Sequence, residues 1–156
     1  MQRRRWPGRL RRSLFHVKQL VHHLQVPTPG PGLHAITAPV CAWVALQGAG
    51  TGLLTVWCRH TSCSLLVQAN ADPDVQADLE AFFIRIAPEG RGLYRHEPSD
   101  LNNMPSHLRA ALTAVQVSVP VENGRPTFGR FQELYLFEHQ SGPHDRVLVL
   151  HLIGTP

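Results

Sequence analysis

Gln116-Val-Ser-Val-Pro-Val121, followed at once by Glu122-Asn-Gly-Arg125, is the stretch that decides the fold. Apolar and polar residues alternate along it, as in a strand with one buried face. Asn-Gly then accepts the positive φ angles of a type I′ turn, so the run predicts a β-hairpin and antiparallel pairing. Forward of the hairpin, 131–139 and 146–153 read as strands separated by the Ser141-Gly-Pro143 turn. Behind it, Asn103 is an N-cap for a helix running to about Thr113, and the polar segment 94–103 reads as a loop. Val75, Leu79, Phe82, Phe83 and Ile86 recur at helical spacing and predict a helix over 74–86, broken by Pro88-Glu-Gly-Arg-Gly92. Two strands, 53–59 and 64–68, precede it almost without interruption, with Leu54, Val56, Cys58 and His60 sharing one face of the first. Thr37 caps a short helix over 38–46 that carries Pro39 in its first turn and ends at Gly48. A first strand spans 16–26, and Pro27-Thr-Pro-Gly-Pro-Gly32 suits neither a strand interior nor a helix. Strands mixed with two to three helices, and few βαβ alternations, predict a single compact α+β domain: a largely antiparallel mixed sheet with the helices packed on it.

Composition narrows the class. A chain of 156 residues with 43% hydrophobic and 17% charged residues is globular and long enough for one core. No apolar run approaches the ~20 residues that span a bilayer, and the arginine-rich N-terminus lacks the apolar region of a secretory signal. No membrane association and a cytoplasmic location are therefore expected. Of Cys41, Cys58 and Cys63 at least one stays unpaired, their spacing is not that of a zinc ribbon, and reduced thiols are the simplest account. The net charge of +4 is misleading, because residues 1–18 hold seven basic residues and no acid. Without those seven, eight basic residues face eleven acidic ones. Nucleic-acid binding would rest on that tail alone and be weak and salt-sensitive, so it is not expected. Residues 1–18 are expected to be a disordered tail or the product of a misplaced start, the true one lying near Val17 or Val21, and 19–156 to form the domain.

Chemistry concentrates in His60-Thr-Ser-Cys-Ser-Leu-Leu-Val-Gln-Ala-Asn-Ala-Asp-Pro-Asp74, between a strand end and a helix start. Helix capping by Asn70 or Asp72, with Pro73 in the first turn, accounts for Asp72, Pro73 and Asp74. It leaves His60, Ser62 and Asn70 unexplained. A second polar node is Asn102, Asn103 and His107, and a third is Gln132, Glu138 and His139. If the nodes converge, His60, His107 and His139 offer three neutral imidazoles to a divalent metal, with Glu138 or Asn103 orienting them. The same residues also suit an anion pocket. Two helix N-termini offer free N–H groups, Thr61, Ser62 and Gln132 add neutral donors, and a protonated histidine acts as general acid. A serine hydrolase is disfavoured because neither Ser62 nor Ser64 sits in a Gly-x-Ser-x-Gly elbow, and Cys63 reads as packing.

His60-Thr-Ser-x-Ser-Leu, Asn70-Ala-Asp-Pro-Asp74, Tyr94-Arg-His96, Asn103-Met-Pro-Ser-His107, Gly129-Arg-Phe-Gln132 and Glu138-His139 occur in the order and at about the spacing of the YjbQ family. The resemblance runs from about Leu24 to Gly154. Some members of that family are described as secondary thiamine-phosphate synthases. The resemblance implies a homotrimer with a pocket near the subunit interface, and a weak activity joining a pyrimidine pyrophosphate to a thiazole phosphate with loss of pyrophosphate. It implies a small anionic or phosphorylated ligand and a catalytic set of His60, Ser62, Asn70, Asp72, Asn103, Gln132 and Glu138. Thr61 and Arg130 would hold the ligand, and His60, His107 and His139 a divalent metal, zinc or magnesium. The alternative is a non-catalytic trimer that binds a metal or an anion. The chain departs from the family pattern at Ala69, where a glutamate is usual, at Arg130-Phe131 for Thr-Trp, and at Asn102-Asn103 for an acidic pair. Losing carboxylates weakens a magnesium site. Arg130 is then expected to serve the phosphate directly.

Overall fold

The computed structural model describes residues 16–69, 72–96 and 100–156. The expected arginine tail therefore lies almost wholly outside the described residues, as does Asn70. Eleven elements follow one another: β1 (Lys18–Thr28), β2 (Gly32–Ala35), α1 (Thr37–Ala45), β3 (Thr51–Cys58), β4 (Cys63–Ala69), α2 (Pro73–Ile86), α3 (Asn103–Leu112), β5 (Gln116–Glu122), β6 (Arg125–Pro126), β7 (Gln132–Glu138) and β8 (His144–Thr155). The strands make two antiparallel sheets, one of order β1-β8-β3-β5-β6 and one of order β2-β7-β4. The α+β class is as the mix of strands and helices implied, and the pairing is antiparallel as the hairpin implied. Asn123 and Gly124 take φ of 50° and 75°, the positive values such a turn needs.

The core lies where the inner rows of the two sheets meet α1. Leu54, Val56 and Cys58 of β3 are buried with Leu148, Leu150 and Leu152 of β8, and Leu65, Leu134 and Leu136 join them from the smaller sheet. Ile36, Val40 and Val44 close one end. Strand period puts every second residue of β8 inward, and that row begins with a cation: Arg146, then Leu148, Leu150 and Leu152, are all buried. At the far end of β8 the backbones of β3 and β8 approach closely. A Cβ built on Gly154 would stand 2.6 Å from the Thr51 carbonyl oxygen, a space that only glycine leaves open.

Four local expectations are corrected. The first strand runs through Pro27 to Thr28, because β1 is an edge strand and Pro27 withholds no N–H that the sheet requires. β2 was masked in the sequence by the surrounding Pro and Gly residues. Thr37 does not cap α1: its hydroxyl accepts the backbone N–H of Leu134 at 2.8 Å, tying the helix start to β7. Asn103 is the first residue of α3, and the cap is Asn102, whose carbonyl accepts Ser106 N–H. Asp72, by contrast, caps α2 as expected, its Oδ1 accepting Asp74 N–H at 2.9 Å.

Candidate functional site

Between β3 and β4 the chain crosses from one sheet to the other in four residues, Arg59 to Ser62. His60 continues the inward face of β3. Its Nε2 accepts the backbone N–H of Val147 at 2.9 Å, so that nitrogen is unprotonated and the ring proton sits on Nδ1. Burial, then the nearby Arg146 charge, lowers the His60 pKa, favouring the neutral ring. From the other side α3 brings His107, whose Nδ1–H donates to the Thr61 carbonyl at 2.9 Å. That bond fixes the ring and leaves Nε2 available to a ligand. His60, Thr61 and His107 line one open cavity of about 270 Å³, walled on its apolar side by Ala110, Ala111 and Val115. Near its edge His96 Nε2–H donates to Asn103 Oδ1 at 2.8 Å, and the His96 and His107 rings stand 6.0 Å apart.

Behind the loop lies a buried polar cluster. Glu138 is fully buried and Arg146 almost so, and they pair through two bonds of 2.6 Å, Nε to Oε2 and Nη2 to Oε1. Thr28 donates to Oε2 at 2.9 Å and Gln140 N–H to Oε1 at 3.0 Å. Burial alone would raise the Glu138 pKa, but the Arg146 and Gln140 donors outweigh it and hold the carboxyl below its ordinary value. Arg146 Nη2 also donates to Ser62 Oγ at 3.1 Å, so the ion pair anchors the loop from within. His139, one residue on, is 1% exposed, with Nε2 2.8 Å from Ser64 Oγ. Burial first, then the Arg109 charge, pushes its pKa down to about 3. Asn102 is the other hub: its Oδ1 accepts Ser106 O–H at 2.8 Å and Ser141 N–H at 3.0 Å, while its Nδ2 donates to Glu89 at 2.8 Å. A smaller cavity of about 50 Å³ has Arg109 and His139 in its wall, and Arg109 Nε and His139 Nδ1 have no partner among the described residues.

The residues singled out in the sequence therefore separate. His60, Thr61 and His107 share a cavity, with Ser62 directly behind. Asn103 orients His96 rather than facing His60. Asp72 is an exposed helix cap. Gln132 is exposed, its Oε1 accepting Gly129 N–H at 2.8 Å, and it lines a different cavity with Val67 and Phe128. Arg130 is exposed over the Phe131 ring, 5.2 Å from its centroid. Glu138 has every accessible lone pair taken by Arg146, Thr28 and Gln140, which makes it a positioning residue for Arg146. Among the described residues His60, His107 and His139 do not converge on one point. His60 already accepts with Nε2, His139 is enclosed, and no group of three metal-ligating side chains gathers among the described residues. Two imidazoles without a carboxylate or third histidine fall short of the usual zinc or magnesium ligand sets.

Sequence reasoning missed Arg146 and Arg109. The signal for Arg146 was present, since it shares the period-two row of Leu148, Leu150 and Leu152. Arg109 lies one turn beyond the buried Pro105 and Ser106 on α3, and its Nη2 donates to the Ala87 carbonyl at 2.7 Å, joining α3 to the end of α2.

Fold and site define a class: a two-sheet α+β domain whose histidine-bearing crossover loop is clamped from inside by a buried ion pair. The chain belongs to the YjbQ family, described as UPF0047 protein YjbQ-like, which matches residues 22–155. It is 44% identical to a UPF0047 protein of Synechocystis over 131 residues, covering 84% of this chain and 89% of that one. It is 33% identical over 124 residues to the UPF0047 protein YjbQ of Escherichia coli, covering 79% and 89%. Among solved structures, a conserved hypothetical protein of Thermus thermophilus superposes with a TM-score of 0.73 at 37% identity, covering 83% of this chain and 97% of that one. A YbjQ-like protein of unknown function from Sulfolobus solfataricus shares the fold, with a TM-score of 0.81 at 21% identity over 89% and 99% of the two chains. Among the described residues no helix is long and apolar enough to cross a membrane.

Proposed function

We propose that the cavity of His60, Thr61 and His107 takes a small phosphorylated ligand and supports a thiamine-phosphate-synthase-like transfer, in which pyrophosphate leaves a pyrimidine methylene and a thiazole phosphate replaces it. One observation carries this reading. The Thr61 carbonyl holds His107 by Nδ1, so a second proton on the ring resides on Nε2 and is donated to whatever anion occupies the cavity. His60 adds its Nδ1–H as a neutral donor, and Arg146 lends positive charge through Ser62 without leaving its own pair. Ala110, Ala111 and Val115 supply the dry wall that a cationic pyrimidine-methylene species needs.

Calorimetric titration with inorganic pyrophosphate tests the binding, and pyrophosphate release from the two substrates tests the transfer. His107→Ala should weaken pyrophosphate binding roughly 10- to 100-fold, the loss of one charge-assisted hydrogen bond. Binding without turnover would instead make the chain the non-catalytic anion-binding trimer. Absence of binding at millimolar pyrophosphate would refute both.

The same reading includes a homotrimer. The outer face of the five-stranded sheet stays open, with Val21 62%, Leu53 41% and Trp57 45% exposed. Strand register sets Leu53 beside Ile153 and Trp57 beside Val149, two apolar pairs on this open face with the Thr55–His151 pair between them. Two further copies covering these faces would bury them. Mass in solution should equal three chains, and Trp57→Glu should shift it to one; a wild-type monomer would contradict the assembly.

A further inference from the structure

We propose that Cys58 and Cys63 are a modification site, oxidised by a peroxide to a disulfide that staples the two sheets across the His60-bearing loop. The geometry is the warrant. Cys58 ends β3, paired with Leu148 in the five-stranded sheet, and Cys63 opens β4, paired with Glu138 in the three-stranded one. Their Sγ atoms lie 3.5 Å apart. A disulfide needs about 2.0 Å, so the sulfurs have to close by roughly 1.5 Å. The intervening residues alternate between exposed (Arg59, Thr61) and more buried (His60, Ser62), so the segment has surface on which to adjust. Buried thiols in van der Waals contact are ordinary core packing in many proteins. Here the two straddle the one crossover that carries the cavity histidine, beside a guanidinium, and both are free.

Cys58 is the attacking sulfur. The Cys63 hydrogen bond and the Arg146 charge favour the Cys58 thiolate against burial, while bonding to Cys58 and burial raise the Cys63 pKa. The Cys58 thiolate attacks one peroxide oxygen, the O–O bond breaks, and the departing hydroxide takes up a proton as water, leaving a sulfenic acid. Cys63 sulfur then attacks Cys58 Sγ, the S–O bond breaks, and hydroxide leaves with the Cys63 proton as a second water. Two thiols are oxidised and one peroxide is reduced. Hydrogen peroxide is small enough to reach residues that are 2% and 0% exposed, where bulkier disulfides are excluded.

The full chain carrying Cys41→Ser is treated with equimolar hydrogen peroxide and read by intact mass, thiol titration after unfolding, and peptide mapping. The expected product is lighter by two hydrogens, has no titratable thiol, links 58 to 63 in one peptide pair, reverts with dithiothreitol and melts at a higher temperature. In the wild-type chain the titre should fall from three to one. A product carrying added oxygens, a covalent dimer, or an unchanged titre at full occupancy of oxidant overturns the assignment. Cys58→Ser, if it folds, should abolish the lighter product; its persistence would equally overturn it. The inference stands whether or not the cavity binds phosphate.

Discussion

Glu138→Ala should lower the unfolding free energy by about 3–5 kcal/mol, the cost of leaving a buried cation without its partner. Arg146 would keep one hydrogen bond, to Ser62, and lose two of 2.6 Å, while Thr28 and Gln140 would lose their acceptor. The effect is read by urea unfolding at neutral pH and constant chain concentration. The pair need not stabilise the fold relative to an apolar core, since two charges are desolvated to make it. The double variant Glu138→Leu with Arg146→Met should therefore recover most of the loss, while the loop that Arg146 anchors through Ser62 loosens. A single-variant loss below about 1 kcal/mol would mean that Arg146 escapes to water, and the clamp described here would not exist.

That clamp shows which part of the molecule sequence patterning reaches. Alternation in 116–121 and the Asn-Gly turn define antiparallel pairing locally, and β5 and β6 follow from them. Glu138 and Arg146 lie only eight positions apart, yet β7 and β8 belong to different sheets, so no pairing rule joins them. Their contact depends on how the sheets stack, which sequence periodicity does not encode. The helix α2 teaches the same point in another way. Helical spacing placed Val75, Leu79, Phe82, Phe83 and Ile86 on one apolar face, but only Phe83 is buried, packed edge-on against Phe137, while Phe82 and Ile86 are nearly half exposed. Periodicity finds an apolar stripe; the width of the surface beneath it decides how much is covered. The histidines divide for that reason too. His60 and His107 were legible as polar residues at element ends, where a cavity forms. His139 looked equivalent, but the strand β7 carries it past the rim and into the interior, where it serves packing and hydrogen bonding.

Acid should expose that interior position directly. His139 titrates near 6.5 when unfolded and at about 3 when folded, so between those values the unfolded chain binds the extra proton. The depressed pKa gives stability that is fully present above 6.5 and is lost as pH falls through that window. From pH 7 to pH 5 the loss through His139 alone should be about 2 kcal/mol, by linkage. Of the charges near the ring, Arg109 and Arg146 repel a proton and only Glu138, already paired with Arg146, attracts one; Ser64 Oγ holds Nε2 and the Phe137 ring centroid packs 4.3 Å away. His60 is depressed in the same direction and adds to the slope, while Glu138, held below its ordinary value of 4.5, contributes only under pH 5. Urea unfolding at pH 7, 6 and 5, at fixed chain concentration, should show wild-type stability falling with each step. The His139→Gln variant, less stable at pH 7 but without the titrating ring, should fall by about 2 kcal/mol less over the same range. Parallel profiles for the two proteins would mean that the ring takes up its proton inside the fold, which an enclosed imidazole flanked by two guanidinium groups has no means to accommodate.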